Sequence, residues 1–247
     1  MESARLGGLA VTIGAIFLAA CTGGTETGNP SFTGEVAYTA YSSAPDRIGV
    51  RSEGSVANVS SVWLDLGDIG FSADCDADAG APVKAPALGV GDHAAGRHNV
   101  TRFELEPESF CRVTVPFGVA GQDALPEGAP ALLRDHSVVV EGTRADGVPF
   151  TVLGDAASTF ALPAVSGTFA VTASTGKTLL AFDVARWLDL DLASVAPSAG
   201  AVTVSADEHA DLHAVFLGNL GPGIVLLRDE DGDGHVDPAP ETLARGR

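Results

Sequence analysis

The sequence predicts an all-β domain, an antiparallel β-sandwich with one or two short helices, preceded by a signal peptide and a flexible tether. Two observations predict the sandwich: short segments of alternating apolar and polar residues recur along the chain, and Gly, Pro and Asp separate them. Strands at a spacing of roughly eight to twelve residues are typical of antiparallel sandwiches and barrels. A third observation, an apolar run close to Met1, predicts the export signal.

The N-terminal segment, residues 1–20, has the layout of a bacterial signal peptide. Arg5 precedes the apolar run Leu6–Leu18, which is too short for a membrane-spanning helix of roughly 20 residues. The run ends in Leu18-Ala19-Ala20-Cys21, which resembles the lipobox of bacterial lipoproteins. The resemblance implies cleavage before Cys21 and acylation of Cys21 with two or three chains, which suffice for stable anchoring. The alternative is a plain secretory signal followed by a chance cysteine.

Residues 21–33 are mostly small and polar, which predicts a flexible tether between the anchor and the domain. Within it, Gly23–Pro30 is similar to the segment that follows the acylated cysteine in many uncharacterised lipoproteins of Gram-negative bacteria. Thr22, rather than Asp, follows the cysteine, and by analogy with enterobacterial lipoproteins this implies transfer to the outer membrane or cell surface. The expected partner of the N-terminus is therefore the membrane, contacted through acyl chains.

Charge and cysteine content narrow the class of protein further. Asp and Glu number 32 against 14 Lys and Arg, a net charge of −18, and this field repels nucleic acid. With Cys21 acylated, Cys75 and Cys111 remain in an oxidising compartment, where a disulfide is the expected outcome and contributes ~3–4 kcal/mol. The alternative is a redox pair or a copper thiolate site, although the chain has no Cys-x-x-Cys.

The β-sandwich is expected to span residues 34–226. The segment Val59–Phe71 places Val62, Leu64 and Leu66 on one face, the period-two pattern of a half-buried strand. The predicted strands are Gly34–Tyr41, Val59–Phe71, His98–Leu105, Phe110–Val119, His136–Thr143, Val148–Leu153, Thr168–Thr172 and Thr178–Val184.

Turn residues predict two hairpins. Arg144–Gly147 contains Asp-Gly between two apolar runs, a strong short-range hairpin signal. A second hairpin is predicted around Ser174–Gly176. Only Val184–Leu192 and Asp207–Leu217 have a helical period, and both are short.

The order of these segments resembles the β-sandwich domain of unknown function found in bacterial surface lipoproteins. The resemblance extends over roughly residues 35–195 and rests on the order of the strands, for example Val62–Leu66, Phe110–Val115 and Leu179–Val184. It implies the fold and carries no activity with it.

The C-terminal acidic segment, residues 227–247, gives the sharpest chemical signal. Asp229, Asp231 and Asp233 alternate before Gly234, which resembles the first half of the calcium-binding loop of EF-hands. The backbone carbonyl of His235, and Asp237 through water, are expected to complete the ligands. Pro240 stands where the EF-hand has its bidentate Glu, so we expect a lone, structural calcium loop with a Kd of roughly 10⁻⁴–10⁻³ M. The alternative is a solvated acidic turn.

Histidines supply a second candidate metal site. His209 and His213 are four residues apart and would share one face of a helix, where zinc or copper ligation is chemically reasonable. The alternative is a pair of solvated histidines on an acidic surface. His93 and His98 form a weaker candidate in a predicted loop.

Enzyme motifs are absent from the sequence, which has no Gly-x-Ser-x-Gly, no Gly-x-x-x-x-Gly-Lys and no His-Glu-x-x-His. The chain is therefore expected to be a non-enzymatic binding or structural module with a peripheral calcium loop. Two alternatives remain: a lipoprotein that handles a transition metal through His209 and His213, and a hydrolase whose site one sequence does not reveal.

Overall fold

A computed structural model describes residues 31–75, 81–95, 99–106, 108–119, 125–154, 158–237 and 240–247. The predicted signal peptide, the acylated Cys21 and the tether up to residue 30 lie outside the described residues, as does His98. Within the described ranges, no helix is both long enough and apolar enough to cross a lipid bilayer.

The described residues form mainly β-strands, with two short α-helices. The strands are, in chain order, β1 (Phe32–Tyr41), β2 (Ile48–Val50), β3 (Ala57–Leu66), β4 (Ile69–Ser72), β5 (Val83–Ala85), β6 (Gly89–Asp92), β7 (Val100–Leu105), β8 (Glu108–Phe110), β9 (Arg112–Phe117), β10 (Val138–Arg144), β11 (Pro149–Gly154), β12 (Ser158–Pro163), β13 (Phe169–Val171), β14 (Lys177–Asp183), β15 (Val202–Val204), β16 (Ile224–Arg228) and β17 (Thr242–Arg245). The helices are α1 (Val184–Trp187) and α2 (Ala210–Leu220), and short 3₁₀ turns occur at Ala131–Arg134, Leu192–Ser194 and Gly221–Gly223.

Two sheets make up most of the fold, which confirms the predicted all-β sandwich. One has the strand order β17-β16-β14-β1-β7; the other follows β15-β11-β10-β3-β9-β4-β5, with β12 on β9 and both β2 and β6 on β3. Strands β8 and β13 form a separate pair. Most pairs are antiparallel, but β1–β14, β2–β3 and β11–β15 are parallel, a feature that the sequence pattern did not indicate.

The core between the sheets follows the predicted alternation. Val62, Leu64 and Leu66 are buried in it, as their period-two spacing requires. Trp187 is also fully buried, packs on Phe182 and donates its indole N–H to the carbonyl of Leu220 at 3.0 Å. This tryptophan is therefore a packing residue, and its burial is worth roughly 1.5–3 kcal/mol or more, since it is larger than the aliphatic side chains.

Local predictions have mixed outcomes. The Cys75–Cys111 disulfide is confirmed, with its Cα atoms 5.7 Å apart, and so is the β10–β11 hairpin. The predicted hairpin around Ser174–Gly176 is wrong, because β13 pairs with β8 whereas β14 lies between β1 and β16. Thr178–Asp183 is buried throughout, as expected for a central strand that is covered on both faces.

The helices and the C-terminal end of the sandwich lie at other residues than predicted. Asp183 caps only one turn of α1 through the backbone N–H groups of Ala185 and Arg186. Helix α2 begins at Ala210, three residues later than predicted, because Ser205–Glu208 forms a hydrogen-bonded turn. The predicted boundary at residue 226 falls inside β16, and the sandwich continues to β17. The acidic segment is thus a connection within the sheet rather than a tail after it.

Candidate metal centre

The acidic segment connects β16 to β17 and folds over the outer face of the five-stranded sheet. Alternation along β1 turns Val36 and Tyr38 into the main core and Ala37 to the outer face. There Val236 of the connection packs against a small apolar cluster. The cluster, called the outer cluster below, consists of Ala37, Leu179, Ala181, Val225 and Leu227.

Hydrogen bonds between residues two positions apart shape the connection into a coiled loop. The carboxylate of Asp231 accepts from the N–H of Asp233 at 3.1 Å, and the carboxylate of Asp233 accepts from the N–H of His235 at 2.7 Å. Gly232 and Gly234 both have φ of +71°, a conformation that glycine adopts without the steric cost other residues incur. Alternating carboxylates and left-handed glycines therefore curl residues 229–235 around one point.

Three carboxylates converge inside this loop. Asp229, Asp231 and Asp233 each offer an oxygen, and these oxygens lie within 4.8 Å of one another. Asp229 is only 4% exposed; one of its oxygens accepts from the N–H of Gly234 at 3.3 Å, while the buried Oδ1 has no hydrogen-bond partner. A buried carboxylate oxygen without a partner costs on the order of 1–3 kcal/mol or more. The loop thus holds an unsatisfied carboxylate oxygen on one of the three residues whose carboxylates converge.

The electrostatics of Asp229 agree with this geometry. Burial raises the pKa of its carboxyl, and the negative charges of Asp231 and Asp233 raise it further. The N–H groups of Gly234 and Gly232 act in the opposite direction by stabilising the carboxylate. Because burial is the largest of these effects, the ionised form of Asp229 is less favourable here than on an exposed aspartate.

A calcium ion fits this donor set. Oxygens bound to one Ca²⁺ lie about 2.3–2.6 Å from it, so any two are at most about 5 Å apart, and the carboxylate oxygens here are within 4.8 Å. The donors are hard, anionic oxygens, which calcium prefers. These three residues could hold one face of the ion, with backbone carbonyls and water completing the shell.

Two further predicted ligands lie at the edge of the loop. The side chains of His235 and Asp237 are exposed and line a neighbouring groove with Tyr41, Val225 and other residues. Asp237 is not part of the group of converging carboxylates. Coordination by the His235 carbonyl, and by Asp237 through water, stays a prediction.

The histidine candidates have different surroundings. His209 is exposed and precedes α2 with φ of +61°, whereas His213 lies within α2 and is 5% exposed. Among the described residues, the only group of three or more convergent His, Cys, Asp or Glu ligands is the aspartate triad. Ligation of a transition metal by His209 and His213 therefore stays a prediction without a third ligand in the described part of the chain.

His93, the describable member of the weaker histidine pair, lies in the core rather than in an open loop. Its ring is fully buried beside Tyr38 and Phe182, with Nδ1 at 3.3 Å from the side-chain amide of Asn99. Burial lowers its pKa to about 3, so the imidazole is neutral at physiological pH.

Lys177 belongs to the same site, and sequence reasoning missed it. Its backbone carbonyl accepts from the N–H of Asp229 at 3.3 Å, and its ammonium group lies against Gly232, where an added Cβ would overlap Nζ. Lys177 is separated by about fifty residues from the loop, so no local motif signals the contact. Its position at the start of β14, next to β16, brings it there.

Comparisons with known proteins give little about this site. No protein-family model matches the chain, and no curated protein matches it. Among solved structures, the chain is similar to MbnP from Methylosinus trichosporium, with a TM-score of 0.44 and 11% sequence identity over 87% of this chain and 99% of that one. At this level of similarity the match does not bear on the chemistry of the loop.

Proposed function

We propose that the protein is a membrane-anchored, extracytoplasmic lipoprotein whose β-sandwich is a non-enzymatic structural or binding module, stabilised by one calcium ion in the acidic loop. The observation that carries the calcium site is the buried Asp229, whose Oδ1 has no hydrogen-bond partner and whose carboxylate lies within 4.8 Å of two more carboxylates. A cation would satisfy this oxygen and neutralise the repulsion between the three side chains.

The role proposed for calcium is structural. The loop joins β16 to β17, and Val236 carries it onto the outer cluster. Asp229 also ties the loop to the backbone of β14. An ion bound between Asp229 and Asp233 would therefore fix the connection over the sheet and hold the outer cluster covered.

The proposed location agrees with a weak calcium site. Acylation of Cys21, as the resemblance to a lipobox implies, would place the domain outside the cytoplasm. A site with a Kd of roughly 10⁻⁴–10⁻³ M is of the kind found in extracellular modules. The disulfide is also typical of oxidising compartments.

Calcium binding is tested by thermal or denaturant unfolding of the mature chain in EGTA and in about 10 mM calcium. At that concentration, a Kd of roughly 10⁻⁴–10⁻³ M predicts stabilisation of about 1.4–2.7 kcal/mol. Asp229→Asn removes a ligand charge and should abolish the shift, while its stability in EGTA should match or exceed that of the wild type. The matched control Asp207→Asn neutralises an exposed aspartate outside the loop and should keep the full shift. Absence of any shift in the wild type refutes the site.

Membrane anchoring is tested separately through Cys21. Cys21→Ser removes the acylated thiol, so we expect the full-length precursor to lose lipid labelling and its mature domain to leave the detergent-extracted membrane fraction. Cell fractionation with metabolic palmitate labelling measures both. Unchanged labelling of the serine variant would show that the anchor lies elsewhere.

A further inference from the structure

Lys177 stands on the outer face of the sheet, directly beneath the acidic loop. Alternation along β14 places it on the same side as Leu179 and Ala181, both members of the outer cluster. Its ammonium group lies against Gly232, the residue between Asp231 and Asp233. The chain contains just one other lysine, Lys84, and the ammonium of Lys177 places a positive charge against the backbone of the acidic loop.

A cavity beside Lys177 offers its side chain an alternative position. This cavity of about 730 Å³ opens beside the loop and is lined by Lys177, Glu230 and two ion pairs, Arg102 with Glu35 and Arg228 with Glu241. Lysine carries its charge on a flexible four-carbon chain. The ammonium can therefore leave Gly232 and still lie in a cavity that contains carboxylates, among them that of Glu230.

We propose that Lys177 is the internal counter-cation of the metal-free loop and that a divalent ion competes with it for the same carboxylates. Without a divalent ion, the ammonium offsets part of the repulsion between Asp229, Asp231 and Asp233. When calcium binds, the two positive charges repel, and the side chain swings into the cavity. Lys177 therefore stabilises the metal-free protein and weakens calcium binding, which raises the ion concentration needed to fill the site.

This inference rests on the proposed calcium site and adds a residue that tunes it. The repulsion between a bound ion and an ammonium several ångströms away is moderate in a solvent-exposed setting, and salt screens it. Removal of the Lys177 ammonium should lower the calcium Kd by roughly three- to tenfold at low ionic strength. The difference should shrink as salt approaches ~1 M, where the screening length is about 3 Å.

The experiment compares Lys177→Met with Lys84→Met in the mature chain. Both variants remove one exposed lysine charge and keep an unbranched side chain. Lys84 lies on β5, where it pairs with Asp68 and is away from the loop. Calcium Kd is measured by calorimetry at low and high salt, and the melting temperature is measured in EGTA. For Lys177→Met we expect tighter, less salt-sensitive calcium binding and a melting temperature about 1–3 °C lower in EGTA. Lys84→Met should match the wild type in both.

Two results would overturn the inference, and they are distinguishable. If Lys177→Met matches Lys84→Met in calcium Kd and in EGTA melting temperature, the loop does not use the ammonium, although the calcium site stands. If neither the wild type nor Lys84→Met binds calcium, the proposed calcium site fails, and the competition fails with it.

Discussion

The two outer faces of the sandwich are covered by segments of opposite chemistry. On the five-stranded sheet, the acidic loop covers the outer cluster and contributes one apolar side chain, the partly exposed Val236. On the larger sheet, the 3₁₀ turn Ala131–Arg134 covers Val139 and Leu153 with Leu133, which is completely buried. The acidic loop, which covers one sheet, carries three converging carboxylates. The 3₁₀ turn, which covers the other sheet, is held by a buried apolar side chain.

This difference separates two ways to hold a connection against a sheet. Burial of Leu133 stabilises its cover in any ionic condition, because the apolar surface is removed from water once the chain folds. The acidic loop buries less apolar surface and brings like charges together, so its own contacts leave an unsatisfied oxygen on Asp229. Its stability should therefore depend on a cation, whereas that of the Leu133 cover should not.

The largest effect is expected from Leu133→Ala. Truncating a fully buried leucine should lower the free energy of unfolding by about 2–5 kcal/mol, and by the same amount in calcium and in EGTA. The matched variant Val236→Ala removes a partly exposed side chain from the acidic cover and should cost about 1 kcal/mol or less in EGTA. Urea unfolding under both conditions measures these values. A calcium-dependent cost for Leu133→Ala would contradict the comparison.

The same contrast shows what the sequence could reveal. Alternation predicted the inward face of β3, and the spacing of Asp229, Asp231 and Asp233 predicted their convergence, because both patterns are set by the local backbone geometry. Cysteine arithmetic predicted the Cys75–Cys111 disulfide, since only these two remain once Cys21 is assigned to the lipid.

What the sequence did not reveal depends on contacts between distant segments. The parallel pairing of β1 with β14, in which Glu35 lies opposite Lys177, has no local signature. This pairing moved β14 out of the predicted hairpin and placed Lys177 under the acidic loop. Burial of Leu133 was missed for the same reason, because its partners Val139 and Leu153 lie on separate strands of the sheet.

Low pH should destabilise the core that lies between the two covers. His93 donates its backbone N–H to Val62 of the larger sheet at 2.8 Å, and its carbonyl accepts from Ala40 of the smaller sheet at 2.9 Å. The pKa of its buried imidazole is lowered from 6.5 to about 3. Below pH 6.5 the unfolded chain therefore binds a proton that the folded chain does not, so stability falls as the pH drops from 6.5 towards 3.

The expected loss from His93 is up to about 1.4 kcal/mol per pH unit. Because His93 joins both sheets, the loss should be the same in wild type and in Leu133→Ala. Urea unfolding in EGTA between pH 7 and pH 5 measures it. His93→Gln keeps an acceptor for Asn99 but does not titrate in this range, so its profile should be shallower. Equal slopes for wild type and His93→Gln would show that other groups cause the acid sensitivity.

The last comparison uses a pair of glycines, one in each cover. Gly232 in the acidic loop has φ of +71°, and Gly128, in the segment leading to the Leu133 turn, has φ of +84°. Alanine at either position should cost about 1–2 kcal/mol, because a side chain disfavours this conformation. At Gly128 nothing lies within 4 Å of an added Cβ, whereas at Gly232 the Cβ would displace the Lys177 ammonium.

The two alanine variants should differ in their response to calcium. Gly128→Ala should cost the same in EGTA and in calcium, since its cover contains no ion. Gly232→Ala distorts the loop between Asp231 and Asp233, and we expect this distortion to outweigh the gain from displacing the Lys177 ammonium. Its cost should therefore be larger in calcium by the part of the ion's stabilisation that is lost. Calcium titration followed by urea unfolding of both variants measures this difference. Equal costs in the two conditions for Gly232→Ala would mean that the curvature of the loop does not serve the ion, and the two covers would then differ in charge alone.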